Sequence, residues 1–116
     1  MGYRYINTEY LEMVTGGDRG ITEELIGIFR QQIGEFSDKM RGLYESGSYS
    51  ELGQLAHKAK SSVAIMGMKN LAGLLKQMEM DCMEGINSHF YPQIISTFRE
   101  ETSEAMTELD DYFNKL

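Results

Sequence analysis

The sequence has one cysteine, one proline, no tryptophan and no long apolar run. With Cys82 alone, the chain can form neither an intramolecular disulfide nor a thiolate metal cluster, and a reducing cytosol is the simplest setting for it. No apolar segment approaches the ~18 residues that a membrane span requires. The N-terminus lacks the basic region and hydrophobic stretch of a signal peptide. We therefore expect a cytoplasmic protein that does not insert into a membrane.

Positive charge is also scarce. The chain has 11 lysines and arginines against 18 aspartates and glutamates, which gives a formal net charge of −7. This balance argues against nucleic acid or an anionic membrane as the main partner. The composition, 41% hydrophobic and 25% charged, is too apolar for wholesale disorder. A length of 116 residues suits one core, so we expect residues 1–116 to form a single domain and a monomer.

Motifs for nucleotide and metal chemistry are missing as well. The sequence contains no G-x-x-x-x-G-K-[ST] loop, no G-x-G-x-x-G and no H-E-x-x-H or paired-histidine spacing. No Ser–His–Asp or Cys–His arrangement can be argued from it. We therefore expect that the chain binds neither a cofactor nor a metal itself.

The hydrophobic periodicity is helical throughout, without the alternation and hairpin turns of strands. It predicts an all-α fold, an antiparallel up-and-down four-helix bundle with a short extra N-terminal helix near residues 8–14. We expect Thr22 to cap the second helix, Ser48 and Glu51 to form a capping box on the third, and Asn70 to cap the fourth. Pro92 suits the first turn of the last helix.

The predicted inner faces of these helices follow steps of three and four residues. In the second, fourth and last helices they comprise Leu25, Ile28, Phe29, Phe36, Met40, Leu43, Tyr44, Leu71, Leu74, Leu75, Met78, Cys82, Ile95, Phe98, Ala105 and Leu109. Gly27 and Gly34 interrupt the outer side of the second helix. Either the short first helix crosses them closely, or they are tolerated weak points.

The third helix carries the most informative surface. Its apolar stripe consists of Leu52, Leu55, Ala56, Ala59, Val63 and Met66. At about 100° of rotation per residue, His57 points roughly 140° away from that stripe and should face solvent. The residues around it are small (Gly53, Ser61 and Ala64), and Lys60 lies one turn on. An exposed imidazole with small neighbours and a nearby cation is typical of a nucleophile that a large partner must approach.

The pattern His57-x-x-Lys60-Ser61-Ser62, with Gly67 ten residues after the histidine, resembles the signature of histidine-containing phosphotransfer (HPt) domains. These domains are carriers in two-component phosphorelays, so the resemblance implies that the chain is a phosphoryl carrier and not an enzyme. The resemblance implies that His57 accepts a phosphoryl group from a receiver-domain aspartate, or from a kinase, and passes it to another receiver aspartate. Lys60 then offsets the phosphoryl charge. The family usually has glycine where this chain has Ser61, which is also small.

The same resemblance suggests further roles around His57. Glu79 lies where the family often has a polar side chain that reaches the histidine ring, and a carboxylate there orients the imidazole. A plain surface glutamate is the alternative. Ser61 adds a hydroxyl contact to the phosphoryl group. Gly53, Ala64 and Ile65 are candidates for partner docking, with Ile65 expected to face outward. Four methionines could add adaptable docking surface, namely Met66, Met68, Met80 and Met83.

The implied partners are response-regulator receiver domains, a hybrid sensor histidine kinase, or both, with Mg²⁺ bound only by the receiver. Because Lys58 follows His57, where the phospho-accepting helix of a sensor kinase usually has an acid, the chain resembles a carrier rather than a kinase. The sequence leaves open whether it is free-standing or a module of a hybrid kinase.

Two other functions remain open. One is a helical adaptor that is never phosphorylated, in which His57 is incidental. The other is a small enzyme that uses His57 as a general base. A pocket of several hundred Å³ beside His57 favours the enzyme, whereas a flat or convex surface favours the carrier.

Overall fold

Glycine-containing joints and Pro92 divide the chain into five α-helices. The computed structural model describes residues 2–116. The helices are α1 (Thr8–Thr15), α2 (Arg19–Glu45), α3 (Tyr49–Met66), α4 (Lys69–Glu84) and α5 (Tyr91–Asn114), with a 3₁₀ turn, Ser88–Phe90, before α5. Residues 2–116 contain no strand, so the all-α prediction is confirmed.

Short joints turn each long helix back along the previous one. Gly47 and Gly67 lie in the α2–α3 and α3–α4 joints with φ of 71° and 91°, a conformation that residues with a Cβ avoid. α3 packs most extensively on α4, while α2 contacts both α3 and α5, and α4 contacts α5. The four long helices therefore form the predicted up-and-down bundle, with α1 against α3.

The apolar stripe of α3 lies at the centre of the core. All six of its predicted members are buried. Phe29, Met40, Leu75, Phe98 and Leu109 meet them from the other long helices. Burying one such large side chain contributes about 1.5–3 kcal/mol. The stripe therefore fixes the rotation of α3 about its own axis and keeps the opposite side of that helix in solvent.

Two predicted core residues face solvent instead. Ile28 and Leu74 are exposed, whereas their neighbours Phe29 and Leu75 are buried. Adjacent helical residues point about 100° apart, and in these two pairs it is Phe29 and Leu75 that point into the core. The remaining predicted residues of α2 and Ile95 of α5 are buried or half-buried against the core.

The helix starts also differ from the sequence prediction. Asp18, not Thr22, caps α2, and its carboxylate accepts a hydrogen bond from the Ile21 N–H at 2.9 Å. The Ser48 side chain makes no capping bond because its hydroxyl is paired with that of Ser46 at 2.9 Å. α4 begins at Lys69, before the expected Asn70 cap. Pro92 lies in the first turn of α5, as expected.

The segment before α1 is fastened to α5 and α3. Glu108 accepts hydrogen bonds from the backbone N–H groups of Arg4, Tyr5 and Ile6 at 2.9, 2.8 and 3.1 Å. The Asn7 N–H donates to the carbonyl of Met66 at 3.0 Å. This contact places Asn7 directly over the α3–α4 joint.

Gly27 and Gly34 of α2 are open positions. No atom lies within 4 Å of where a Cβ on Gly27 or Gly34 would stand. α1 packs against α3 and does not cross these glycines closely. Of the two interpretations of the sequence, the tolerated weak point is correct. No helix in the described part of the chain combines the length and the apolarity needed to cross a bilayer.

Candidate functional site

His57 stands at the middle of α3, on the side away from the core. Its side chain is 60% exposed, which confirms the orientation predicted from the helical periodicity. Because the buried stripe holds α3 in place, the imidazole is presented to solvent from a rigid element.

Glu79 of α4 contacts the histidine ring. Its Oε2 lies 2.9 Å from Nδ1 of His57, and its side chain is only 21% exposed. An ionised carboxylate can only accept hydrogen bonds, so the contact places a proton on Nδ1, and in the neutral imidazole Nε2 then has the lone pair. Glu79 is therefore not a plain surface glutamate.

Lys60 shares the same carboxylate. Its Nζ lies 3.3 Å from Oε1 of Glu79, while Oε2 faces His57. Burial would raise the pKa of Glu79, but the hydrogen bonds from His57 and Lys60, together with the positive charge of Lys60, outweigh it. The pKa of Glu79 is therefore below its usual value. The sequence did not predict the contact between Lys60 and Glu79, because that contact depends on how closely α3 and α4 approach.

Gly53 allows that close approach. It is buried, and a Cβ there would lie 2.9 Å from the Cβ of Cys82 and 3.3 Å from the carbonyl oxygen of Glu79. Gly53 is therefore packed against α4 rather than standing fully exposed beside His57. Its missing side chain brings the Glu79 backbone up to α3, and the signal was a glycine inside an otherwise regular helix.

The other predicted neighbours of His57 are divided between surface and core. Ser61 and Ala64 are exposed, and the Ser61 hydroxyl donates to the backbone carbonyl of His57 at 3.5 Å. Ile65 is half-buried against the core, so its predicted outward orientation is wrong. α3 contacts α1 as well as α2 and α4, and this covers a wider arc of its surface than the stripe alone indicated.

The methionines near the site are divided in the same way. Met66 and Met68 are buried, which removes them as docking surface. Met80 and Met83 of α4 are exposed. Only these two members of the predicted group are available to a partner.

A groove of about 490 Å³ runs between α3 and α4 beside His57. We call it the Met83 groove, and its lining is Ser50, Gly53, Gln54, His57, Lys58, Glu79 and Met83. Gln54 was not singled out from the sequence, although it lies one turn before His57, on the same side of the helix.

The family model described as the Hpt domain matches residues 24–111 of the 116-residue chain. The chain belongs to the Hpt domain family. The matched range includes His57, Lys60 and Glu79 together with all of α3 and α4. No match is found among curated proteins or among solved structures. Membership assigns the chain a histidine phosphotransfer role in phosphorelays, and Hpt domains carry the phosphoryl group rather than catalyse its transfer.

The size of the Met83 groove would by itself have favoured the enzyme alternative. Groove volume does not distinguish a carrier from an enzyme in this Hpt domain. A groove of about 480 Å³ also lies between α2 and α5, away from His57, and is lined by Arg30, Gly34, Arg99 and others. Within residues 2–116, no serine, threonine or cysteine side chain is hydrogen-bonded to the His57 ring. The arrangement thus lacks a side-chain hydroxyl or thiol nucleophile that the His57 ring could activate.

Metal ligands are not assembled in the described chain. Among residues 2–116, no three His, Cys, Asp or Glu side chains lie close enough together to hold a metal ion. His89, the second histidine, packs against the ring of Phe90 at 4.1 Å between centroids. His57 is therefore the histidine whose surroundings fit the family's chemistry.

Proposed function

We propose that this Hpt domain is a phosphorelay carrier. It accepts a phosphoryl group on Nε2 of His57 from a receiver-domain aspartate, or from a kinase, and passes it to another receiver aspartate. The observation that carries this proposal is the 2.9 Å contact from Nδ1 of His57 to Oε2 of Glu79, beneath an imidazole that is 60% exposed. That contact leaves the nucleophilic nitrogen directed away from α4.

The transfer is a simple displacement. The lone pair of Nε2 forms a bond to phosphorus, while the bond from phosphorus to the aspartyl oxygen breaks and the aspartate leaves as a carboxylate. No proton has to leave Nε2, since the ring proton is on Nδ1. The ring gains positive character in the product, and the Glu79 carboxylate offsets it. The return step is the same reaction in reverse.

Lys60 offsets the negative charge of the phosphoryl group in this proposal. An ammonium group has three N–H donors, so the contact with Glu79 leaves others for phosphoryl oxygens. Ser61 is exposed one turn from His57, where its hydroxyl can turn from the His57 carbonyl to a phosphoryl oxygen.

The partners we propose are response-regulator receiver domains, a hybrid sensor histidine kinase, or both. The receiver brings the acidic pocket and the Mg²⁺ that stabilise the transferring group, so this chain needs no cofactor. The exposed Ala64 borders the docking face, and Gly53 lines the groove beside His57. We further propose a cytoplasmic monomer, in keeping with a buried free thiol at Cys82.

The decisive test is label transfer from phosphorylated receivers to the wild-type protein, His57→Gln and His89→Gln. We expect an acid-labile, base-stable label on the wild type and on His89→Gln, and none on His57→Gln. Circular dichroism should show the same helix content for all three, because both histidines lie outside the core. Label on His57→Gln would disprove the assignment.

An unphosphorylated adaptor is the alternative outcome. It predicts that several receivers bind the protein without labelling it, and that His57→Gln binds them with unchanged affinity.

A further inference from the structure

We propose that the Met83 groove is the docking site for a receiver domain, which seats an apolar side chain there against Met83 while its phosphoaspartate faces His57. This inference rests on the proposed function and adds the part of the surface that holds the partner. It gives Met83 and Gln54 a role that the phosphoryl chemistry does not use.

The groove extends from the reactive residue in one direction. On α3 its lining recurs at Ser50, Gln54 and His57, and on α4 at Glu79 and Met83, each a turn or so apart. Gly53 lines the groove between these two rows, at the point where the backbone of α4 lies close to α3. His57 and Glu79 thus stand at one end of the groove, and Ser50 and Met83 at the other.

Met83 is 78% exposed, and it is the one large apolar residue among those that line the Met83 groove. Met80, Ile86 and Phe90 are also exposed, so the segment that follows Glu79 presents several apolar side chains to solvent. Burying this apolar surface against a partner is favourable, and the flexible thioether of methionine adapts to a partner's shape. A small acyl phosphate would use none of this surface.

The charge distribution selects the kind of partner. The α3–α4 segment, residues 49–84, has four lysines and four acidic residues, so its formal charge is zero. The other residues have seven basic and fourteen acidic side chains, and α5 alone has one arginine and six acids. The whole net charge of −7 therefore lies outside the helix pair that presents His57.

This asymmetry favours a receiver that carries a negatively charged phosphoryl group. Such a partner is repelled by the acidic remainder and meets Lys58 and Lys60 only beside His57. A second copy of this chain brings its own charge of −7 and is repelled overall. The observations thus favour the receiver over self-association.

The chain offers a closely matched control for Met83. Met13 of α1 is 79% exposed and does not line the Met83 groove. We would measure single-turnover transfer from the phosphorylated receiver that labels the wild type, over a range of receiver concentrations, for Met83→Ser and Met13→Ser. Thermal unfolding of both variants should match the wild type.

For Met83→Ser we expect kcat/KM to fall about tenfold, the effect of losing one apolar contact, with the rate at saturating receiver within about twofold of the wild type. Met13→Ser should transfer like the wild type. Unchanged kinetics for Met83→Ser would overturn the docking site, and an equal fall in the saturating rate would mean that Met83 acts on the chemistry instead.

Failure of the docking site and failure of the proposed function give different results. If the wild type is labelled and Met83→Ser transfers with unaltered kinetics, only the docking site is contradicted. If the wild type is not labelled, both the phosphocarrier assignment and this inference are contradicted. A concentration-dependent mass increase of the wild type in sedimentation that Met83→Ser abolishes would identify the groove as a self-interface and contradict the receiver.

Discussion

Gly53 of α3 lies so close to Cys82 of α4 that a Cβ on the glycine would stand 2.9 Å from the Cβ of the cysteine. The same approach puts the Glu79 carbonyl 3.3 Å from that position. One missing side chain therefore determines how near α4 comes to His57, and with it the contact between the Glu79 carboxylate and the imidazole. A packing feature, rather than the histidine motif, builds the site.

Replacing Gly53 with alanine should destabilise the protein by about 1–3 kcal/mol, because backbone and Cβ atoms of α4 cannot move aside without separating the helices. Thermal or urea unfolding measures this. Gly73→Ala is the control, since no atom lies within 4 Å of a Cβ there. It should stabilise the helix by about 0.5–1 kcal/mol. Equal stabilisation by both substitutions would contradict the close approach.

Removing the Glu79 side chain should slow phosphoryl acceptance without unfolding the protein. We expect Glu79→Ala to reduce the transfer rate roughly 10- to 100-fold, because the ring loses its orientation. Glu79→Gln should lie between Ala and the wild type, since its amide oxygen still accepts from Nδ1–H. Glu84→Ala, exposed on the same helix, is the control. A full rate in Glu79→Ala would show that the contact has no part in transfer.

The lowered pKa of Glu79 predicts how stability depends on pH. The folded state holds this carboxyl ionised to lower pH than the unfolded chain does, so its contribution is fully present above the ordinary value near 4.5. It is lost as the pH falls through the lowered folded value. The difference in unfolding free energy between the wild type and Glu79→Gln should therefore be constant near neutrality and shrink below about pH 4.5. If this difference in unfolding free energy instead grew on acidification, the lowered pKa of Glu79 would be contradicted.

Glu108→Ala should release the N-terminal segment from α5. Three backbone N–H groups lose their acceptor, and we expect a loss of about 1–3 kcal/mol in urea unfolding. Amide hydrogen exchange should accelerate at Arg4, Tyr5 and Ile6, while the amides of α3 keep their protection. Glu100→Ala, exposed on the same helix, should change neither measurement. If the amides of Arg4, Tyr5 and Ile6 stay protected from exchange in Glu108→Ala, another contact holds the N-terminal segment.

The sequence by itself determined the helices and the direction of His57. Both depend on local periodicity, because a stripe such as Leu52, Ala59 and Val63 can be buried in only one way, and the residue opposite it must then face solvent. The position of Glu79 on the next helix also followed from the chain order and the motif.

Only the tertiary structure decided which side chains meet. The contacts of Glu79 with both His57 and Lys60, the burial of Gly53 and the half-burial of Ile65 all depend on the separation and rotation of packed helices. The separation and rotation of two helices depend on how their side chains interlock over the whole contact, and residue spacing within one helix does not determine this. The motif therefore singled out His57, and the packing of α4 against α3 decided how its ring is held.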